Sequence, residues 1–219
     1  MKPRASLVFG PHRLVSLLLT PRAFFSHADL MRDRLGIIIA AALVGVSNAM
    51  GRLDQNLSKA DLRQQQAADG FTSWSTSSWW HYWIMVLLIG LLSAVVSWYI
   101  SGWFFRKRLE WSGAGQVAPD DARSLSVLQD LVWVLPMMAM ALVQTFSYPN
   151  YIEAWRESTT SSVLIMIFIF WSCWTGYCAA TTVYTLKKTQ ARIWFMILPA
   201  VFYAIILGAS GALYAILPH

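Results

Sequence analysis

The sequence contains few charged residues, and this shortage excludes an ordinary soluble protein. Asp, Glu, Lys and Arg make up 13% of the 219 residues, whereas 57% are hydrophobic. A soluble domain usually has about 25% charged and about 45–50% apolar residues. The charges that are present fall in short blocks between nearly uncharged runs, as a bilayer requires, because a charge at its centre costs about 2.5–3.5 kcal/mol. The sequence therefore predicts an integral membrane protein.

Cysteine and histidine are also scarce, and their positions predict neither a catalytic cluster nor a metal site. Cys173 and Cys178 are five residues apart in one apolar run, so on a helix they point in different directions and are expected to be small packing residues. The four histidines are scattered over positions 12, 27, 81 and 219. No metalloprotease motif, nucleophile elbow or glycine-rich phosphate loop is present. We therefore expect no catalytic residue, no metal, no cofactor and no enzymatic activity.

Five apolar runs predict an all-α membrane protein with five transmembrane helices in a compact bundle. The expected spans are about residues 35–50, 82–105, 127–146, 162–186 and 193–217. The last four are long enough to cross a bilayer at 1.5 Å per residue, whereas the first is short. Residues 1–34 form an N-terminal segment whose apolar positions predict a location along the membrane surface. The alternative is a disordered basic tail.

The distribution of Lys and Arg predicts that the N-terminus lies in the cytoplasm and the C-terminus on the opposite side. Thirteen of the 17 basic residues fall in the N-terminal segment and in the second and fourth loops, and four fall in the other two loops. Cytoplasmic loops carry such an excess. Because the basic residues flank apolar runs, the net charge of +6 does not indicate nucleic acid. The residues expected to contact anionic headgroups are Arg106, Lys107, Arg108, Lys187, Lys188 and Arg192.

Small residues recur at every fourth position in four of the predicted spans. Such stripes allow helix backbones to approach closely, where dispersion and weak hydrogen bonds drive association. The central residues of the stripes are Gly45, Ser97, Gly176 and Gly208. We expect contacts within the bundle, and contacts with a partner's helices are the alternative.

Three polar residues close to the apolar runs are candidates for a function. Asp130 is expected in the first turn of the third span, where its charge would favour the helix N-terminus, and a role in proton or ion coupling is the alternative. Asn48 and Gln144 lie at the outer ends of the first and third spans, where we expect bonds to water, headgroups or each other. Pro136 and Pro199 could break helices, but neither is expected to have an ionisable neighbour at the same depth.

Several segments resemble the Yip1 domain family, small five-span membrane proteins with a cytoplasmic N-terminus. They are residues 20–25 (TPRAFF), the basic turn 106–115 (RKRLEWSGAG), Leu135-Pro136, the basic hairpin 184–192 (YTLKKTQAR), and Ile197-Leu-Pro199. The resemblance covers most of the chain and is closest to the bacterial members. It implies a scaffold or accessory role, in bacteria sometimes beside an ABC exporter, and no established catalysis.

The expected function is therefore a non-catalytic scaffold or accessory protein in a bacterial inner membrane. Its partners would be the lipid bilayer and another membrane protein or a second copy of itself, with no nucleic acid. The alternative is a small lipid or solute transporter that uses Asp130, with Asn48 and Gln144 as further polar groups.

Overall fold

The structure is a computed structural model that describes residues 8–62, 70–157 and 159–216, and all regular structure in these ranges is helical. The helices are α1 (Pro11–Leu19), α2 (Pro21–Phe25), α3 (Arg34–Leu62), α4 (Gly70–Thr76), α5 (Trp79–Trp111), α6 (Pro119–Ser147), α7 (Tyr151–Glu157), α8 (Thr159–Val183), α9 (Lys188–Arg192) and α10 (Leu198–Ile216), with a 3₁₀ helix at Ala28–Arg32 and a π-helical turn at Ile193–Ile197.

Five helices in the described residues are long and apolar enough to cross a membrane. These candidate spans are Arg34–Asp61, Trp79–Trp111, Pro119–Ser147, Ile165–Val183 and Lys188–Ala209. The prediction of an all-α chain with five such helices is confirmed.

The first of these helices is longer than its sequence suggested. We expected the span to end near residue 50, whereas α3 continues to Leu62. Leu53, Leu57 and Ala60 are buried along one face of this extension and continue the packing of the helix against its neighbours. Gln55, Asn56 and Lys59 between them are exposed, so one amphipathic helix accommodates both kinds of residue.

The third span also begins earlier than expected, at Pro119 rather than near residue 127. Proline is favoured at the first helical position, and Asp120 and Asp121 place negative charge in the first turn, where the helix dipole favours it. The expectation that Asp130 occupies the first turn is therefore wrong. Asp130 lies eleven residues after Pro119, about 16 Å along the helix axis.

Close contact between α3 and α5 depends on two glycines. A Cβ atom at Gly45 would lie 2.5 Å from the backbone nitrogen of Ala94, and one at Gly90 would lie 2.8 Å from Cα of Val46. Either distance is too short for a real contact. The absence of a side chain at both positions therefore allows the two helices to touch.

The described part of the N-terminal segment packs against the bundle. Leu17, Phe24 and Leu30 are buried in the main hydrophobic core. The indole nitrogen of Trp171 in α8 donates a hydrogen bond to the backbone oxygen of Leu18 at 2.9 Å. These contacts join α1 and α2 to α8.

Candidate ligand-binding cavity

The helices α5, α6, α8 and α10 and the π-helical turn surround a cavity of about 430 Å³. Pockets for small molecules commonly have about 300–1,000 Å³ and combine an apolar wall with a few polar groups. The polar residues of this wall are Ser101, Arg108, Ser126, Gln129, Asp130, Ser172, Cys173 and Tyr203.

Arg108, in the last turns of α5, supplies a positive charge to the cavity. Its Cζ atom lies 5.1, 5.2 and 4.7 Å from the ring centroids of Phe104, Phe105 and Phe195. Attraction between the guanidinium and these rings orients the side chain. Its Nε atom is buried and has no hydrogen-bond partner in the described part of the chain. The guanidinium is thus positioned by aromatic rings and retains free hydrogen-bond donors.

The charge of Arg108 is not matched by a close carboxylate. Among the described residues, no acidic oxygen lies within 4.0 Å of it. Its two neighbours differ, since Arg106 and Lys107 both pair with Glu110, at 3.0 and 2.8 Å. The basic residues that were expected in a loop therefore lie at the end of α5. Arg106 and Lys107 pair with Glu110, whereas Arg108 lies among aromatic rings. Arg108 faces the cavity, and its contact with headgroups stays a prediction.

Asp130 reaches the same cavity from α6. Its carboxylate interacts with the side chains of Trp133 and Gln129 and, at longer range, with the charge of Arg108. An ionisable residue within a membrane-spanning helix is costly, and such residues usually face a polar cavity and serve a function. Asp130 and Arg108 therefore place an acidic and a basic side chain in the wall of one cavity.

The wall formed by the fifth span is irregular. The N–H of Leu198 donates to the carbonyl of Ile193, a π-type bond, and Pro199 follows at once with no N–H to donate. A π-helical turn inserts one extra residue into a helix and occurs frequently at functional sites. Pro199 lines the cavity together with the ionisable residues Arg108 and Asp130. Pro136, in contrast, lies inside α6, which continues past it to Ser147.

The other two polar candidates lie elsewhere. The side-chain nitrogen of Asn48 donates to Oγ of Ser97 at 2.8 Å, which joins α3 to α5. Gln144 lines a separate cavity of about 210 Å³ beside Asp54 and Tyr151. The structure therefore does not bring Asn48 and Gln144 together with Asp130.

The predicted packing glycines have different surroundings. Gly45 lies against α5, and Gly176 in α8 lies against the side chain of Gln129 in α6. At Gly208 in α10 an added Cβ atom would meet nothing within 4 Å among the described residues.

The remaining basic residues are divided between two places. The side chain of Lys187 packs against Gly113, which has a positive φ of 89° in the turn after α5. Lys188 and Arg192 line a second pocket together with Arg22, a residue that the sequence did not single out. Its position in the TPRAFF segment beside the apolar Phe24 and Phe25 was the only available signal.

The comparisons with known proteins identify no family. No protein-family model matches the chain, and no curated protein or solved structure matches it. Within the described residues, no group of three or more His, Cys, Asp or Glu side chains is placed to hold a metal ion. The structure itself thus defines the class: a helical protein with five candidate membrane-spanning helices and a charged cavity among four of them.

Proposed function

We propose that this protein binds a small amphipathic molecule with an anionic group in the cavity, and that it acts as a non-catalytic carrier for that lipid or solute. The observation that carries the proposal is the free guanidinium of Arg108, held among aromatic rings at the cavity wall. An arginine in this state binds carboxylate or phosphate oxygens well, because its planar donors are oriented before the ligand arrives.

The rim of the cavity supports an amphipathic ligand. Ile100 and Phe202 line the cavity and are also 62% and 59% exposed on the outer surface of their helices. In a membrane this surface faces lipid, so an opening between α5 and α10 would admit a molecule laterally from the bilayer. The apolar part of the ligand would contact Phe104, Leu198 and Phe202. Its anionic group would bind Arg108, and a hydrogen-bond donor on the ligand would bind the carboxylate of Asp130.

Recovery of the bound molecule tests the proposal. The wild type, Arg108→Gln and Arg106→Gln are purified from membranes in mild detergent, and the small molecules that remain bound are identified by mass spectrometry. We expect one class of anionic amphiphile with the wild type and with Arg106→Gln, and about tenfold less with Arg108→Gln, since a charged hydrogen bond contributes about 1.5–3 kcal/mol. Equal recovery from all three proteins would contradict the proposal.

Asp130→Asn separates binding from transport. In vesicles that contain the purified protein, a carrier coupled to protons would lose net transport of the recovered molecule and still bind it. Asp120→Asn is the matched control, because Asp120 is exposed in the first turn of α6 and pairs with Arg123. Unchanged transport by Asp130→Asn would show that Asp130 has no coupling role.

A second candidate is the scaffold or accessory role of the Yip1 type, which remains a prediction, as does the bacterial inner membrane. The observation in its favour is the small-residue stripe of α10, where Ala204, Gly208 and Ala212 are all exposed. Such a stripe would allow the helix of another membrane protein, such as an exporter subunit, or of a second copy to approach closely.

Crosslinking in intact membranes followed by affinity purification tests this role. Gly208→Leu should reduce the recovery of the partner, whereas Gly51→Leu, at another position where an added Cβ meets nothing within 4 Å, should not. Equal recovery with Gly208→Leu would exclude α10 as the contact surface.

A further inference from the structure

A second pocket, of about 510 Å³, lies at the end of the protein where α8 is followed by α9. Its charged and hydroxyl groups come from α2 and, far away in sequence, from the end of α8, the α8–α9 connection and α9. The principal residues are Arg22, Thr182, Tyr184, Thr185, Lys188 and Arg192. None of these residues lines the cavity that contains Arg108 and Asp130.

The three cations of this pocket have no acidic partner within 4.0 Å among the described residues. Four other cations, Arg13, Arg106, Lys107 and Arg123, each pair with a carboxylate. The guanidinium of Arg22 is held over the ring of Trp174, with Cζ 5.6 Å from its centroid. The pocket therefore concentrates positive charge that the protein itself does not neutralise.

A hydroxyl group in the pocket is also left without a partner. The Oη atom of Tyr184 is buried and has no hydrogen bond within the described ranges. Burial, and to a smaller extent the charge of Asp121, raise the pKa of Tyr184, so the hydroxyl is protonated at neutral pH and available as a donor. A buried donor without an acceptor is costly in a protein, and a ligand oxygen would satisfy it.

The location of the pocket indicates which anion reaches it. It lies between the end of the candidate span Ile165–Val183 and the start of Lys188–Ala209. The ends of spans lie at the level of lipid headgroups, and basic pockets between spans bind the phosphates of acidic lipids. A soluble phosphate offers the same oxygens but gains nothing from the membrane surface.

We propose that this pocket is a binding site for the phosphate headgroup of an acidic phospholipid. Arg22, Lys188 and Arg192 surround the phosphate, and the Tyr184 hydroxyl donates a hydrogen bond to one of its oxygens. The bound lipid joins α2 to the α8–α9 connection and thereby stabilises the N-terminal segment on the bundle.

Thermal unfolding of the delipidated full chain in detergent tests the proposal, with phosphatidylglycerol, phosphatidylcholine or inorganic phosphate added. Phosphatidylglycerol should raise the unfolding temperature of the wild type at concentrations at which the other two have no effect. The variant Arg22→Gln/Lys188→Gln/Arg192→Gln should need about a hundredfold more lipid for the same rise, because each of the three charges contributes about fivefold to affinity near an anionic surface.

Two further variants distinguish a built site from general attraction. Tyr184→Phe keeps every charge and should need about fivefold more lipid, as expected from the loss of one hydrogen bond. Arg106→Gln/Lys107→Gln removes two cations that are already paired and should respond as the wild type does.

An equal response to phosphatidylcholine, or equal loss in both charge variants, would overturn the proposal. Stabilisation by inorganic phosphate alone would overturn the assignment to a lipid.

Discussion

Tyr151 and Asp54 form a hydrogen bond between residues 97 positions apart, from the tyrosine hydroxyl to the carboxylate. The ring of Tyr151 also stacks on that of Tyr82, with centroids 4.1 Å apart. Burial and the neighbouring Asp54 raise the pKa of Tyr151 well above its ordinary value, so the hydroxyl is protonated at neutral pH and acts as the donor. This bond fixes α7 on the extended end of α3.

Tyr151→Phe should therefore lower the free energy of unfolding by about 1–3 kcal/mol, because the Asp54 carboxylate loses its donor and is left half-buried. Denaturant titration of the purified protein in detergent measures the loss. Tyr148→Phe is the control, since Tyr148 forms hydrogen bonds to other described residues only through its backbone. An equal effect of the two variants would show that the bond contributes no stability.

The position of Arg108 in the cavity is the part of the site that could not be predicted from the sequence. Three consecutive basic residues at positions 106–108 suggested one basic surface, yet successive side chains on a helix point about 100° apart. Only one of them can face the bundle, and the rotation of α5 about its axis decides which one it is. That rotation depends on contacts with other helices, chiefly α3 and α6, so Arg108 could not be distinguished from its neighbours by local sequence.

At the scale of the helices, the sequence predicted the five apolar spans but not where they end. Hydropathy locates a span because the bilayer excludes charge, but a helix can continue beyond the bilayer when one face remains packed. This is the case for α3, in which Leu57 and Ala60 are buried well past the polar Asp54. The start of α6 was missed for a related reason, because Pro119 and its two following aspartates look like a loop and are also a good helix start.

Gly45→Leu should separate α3 from α5, since a side chain there would overlap the backbone of Ala94 and the carbonyl oxygen of Gly90. We expect a loss of at least about 1–3 kcal/mol in the free energy of unfolding, in the range of other overpacked cores. Gly51→Leu in the same helix has open space and should change stability by less than about 0.5 kcal/mol. The same denaturant titration gives both values. Equal stability of the two variants would show that the glycine contact is not required.

For the whole molecule, the distribution of basic residues predicts one orientation. Alkaline phosphatase, which is active only outside the cytoplasm, should be active when fused after the C-terminus and inactive when fused to the second loop between α5 and α6. The fluorescence of a cytoplasmic reporter should show the reverse. Activity at both positions, or at the loop alone, would contradict the predicted topology.

The two cysteines make it possible to examine the cavity in the intact molecule. Cys173 lines the cavity with 7% exposure, whereas Cys178 is 0% exposed and belongs to neither pocket. A cavity that accepts anions should allow a small thiol reagent to reach Cys173 but not Cys178. The charge of the reagent should then determine the rate at which Cys173 is modified, because the unpaired cation Arg108 lines the same cavity.

The most direct test of the proposed binding site is therefore the rate at which Cys173 reacts with anionic and cationic methanethiosulfonates in native membranes, with mass spectrometry to assign the modified residue. We expect Cys173 to react faster with the anionic reagent by about fivefold, which corresponds to about 1 kcal/mol of attraction, and Cys178 to remain unmodified. Arg108→Gln should abolish this preference, and Asp130→Asn should increase it. An unreactive Cys173, or a preference unchanged in Arg108→Gln, would contradict an anion-binding cavity at this position.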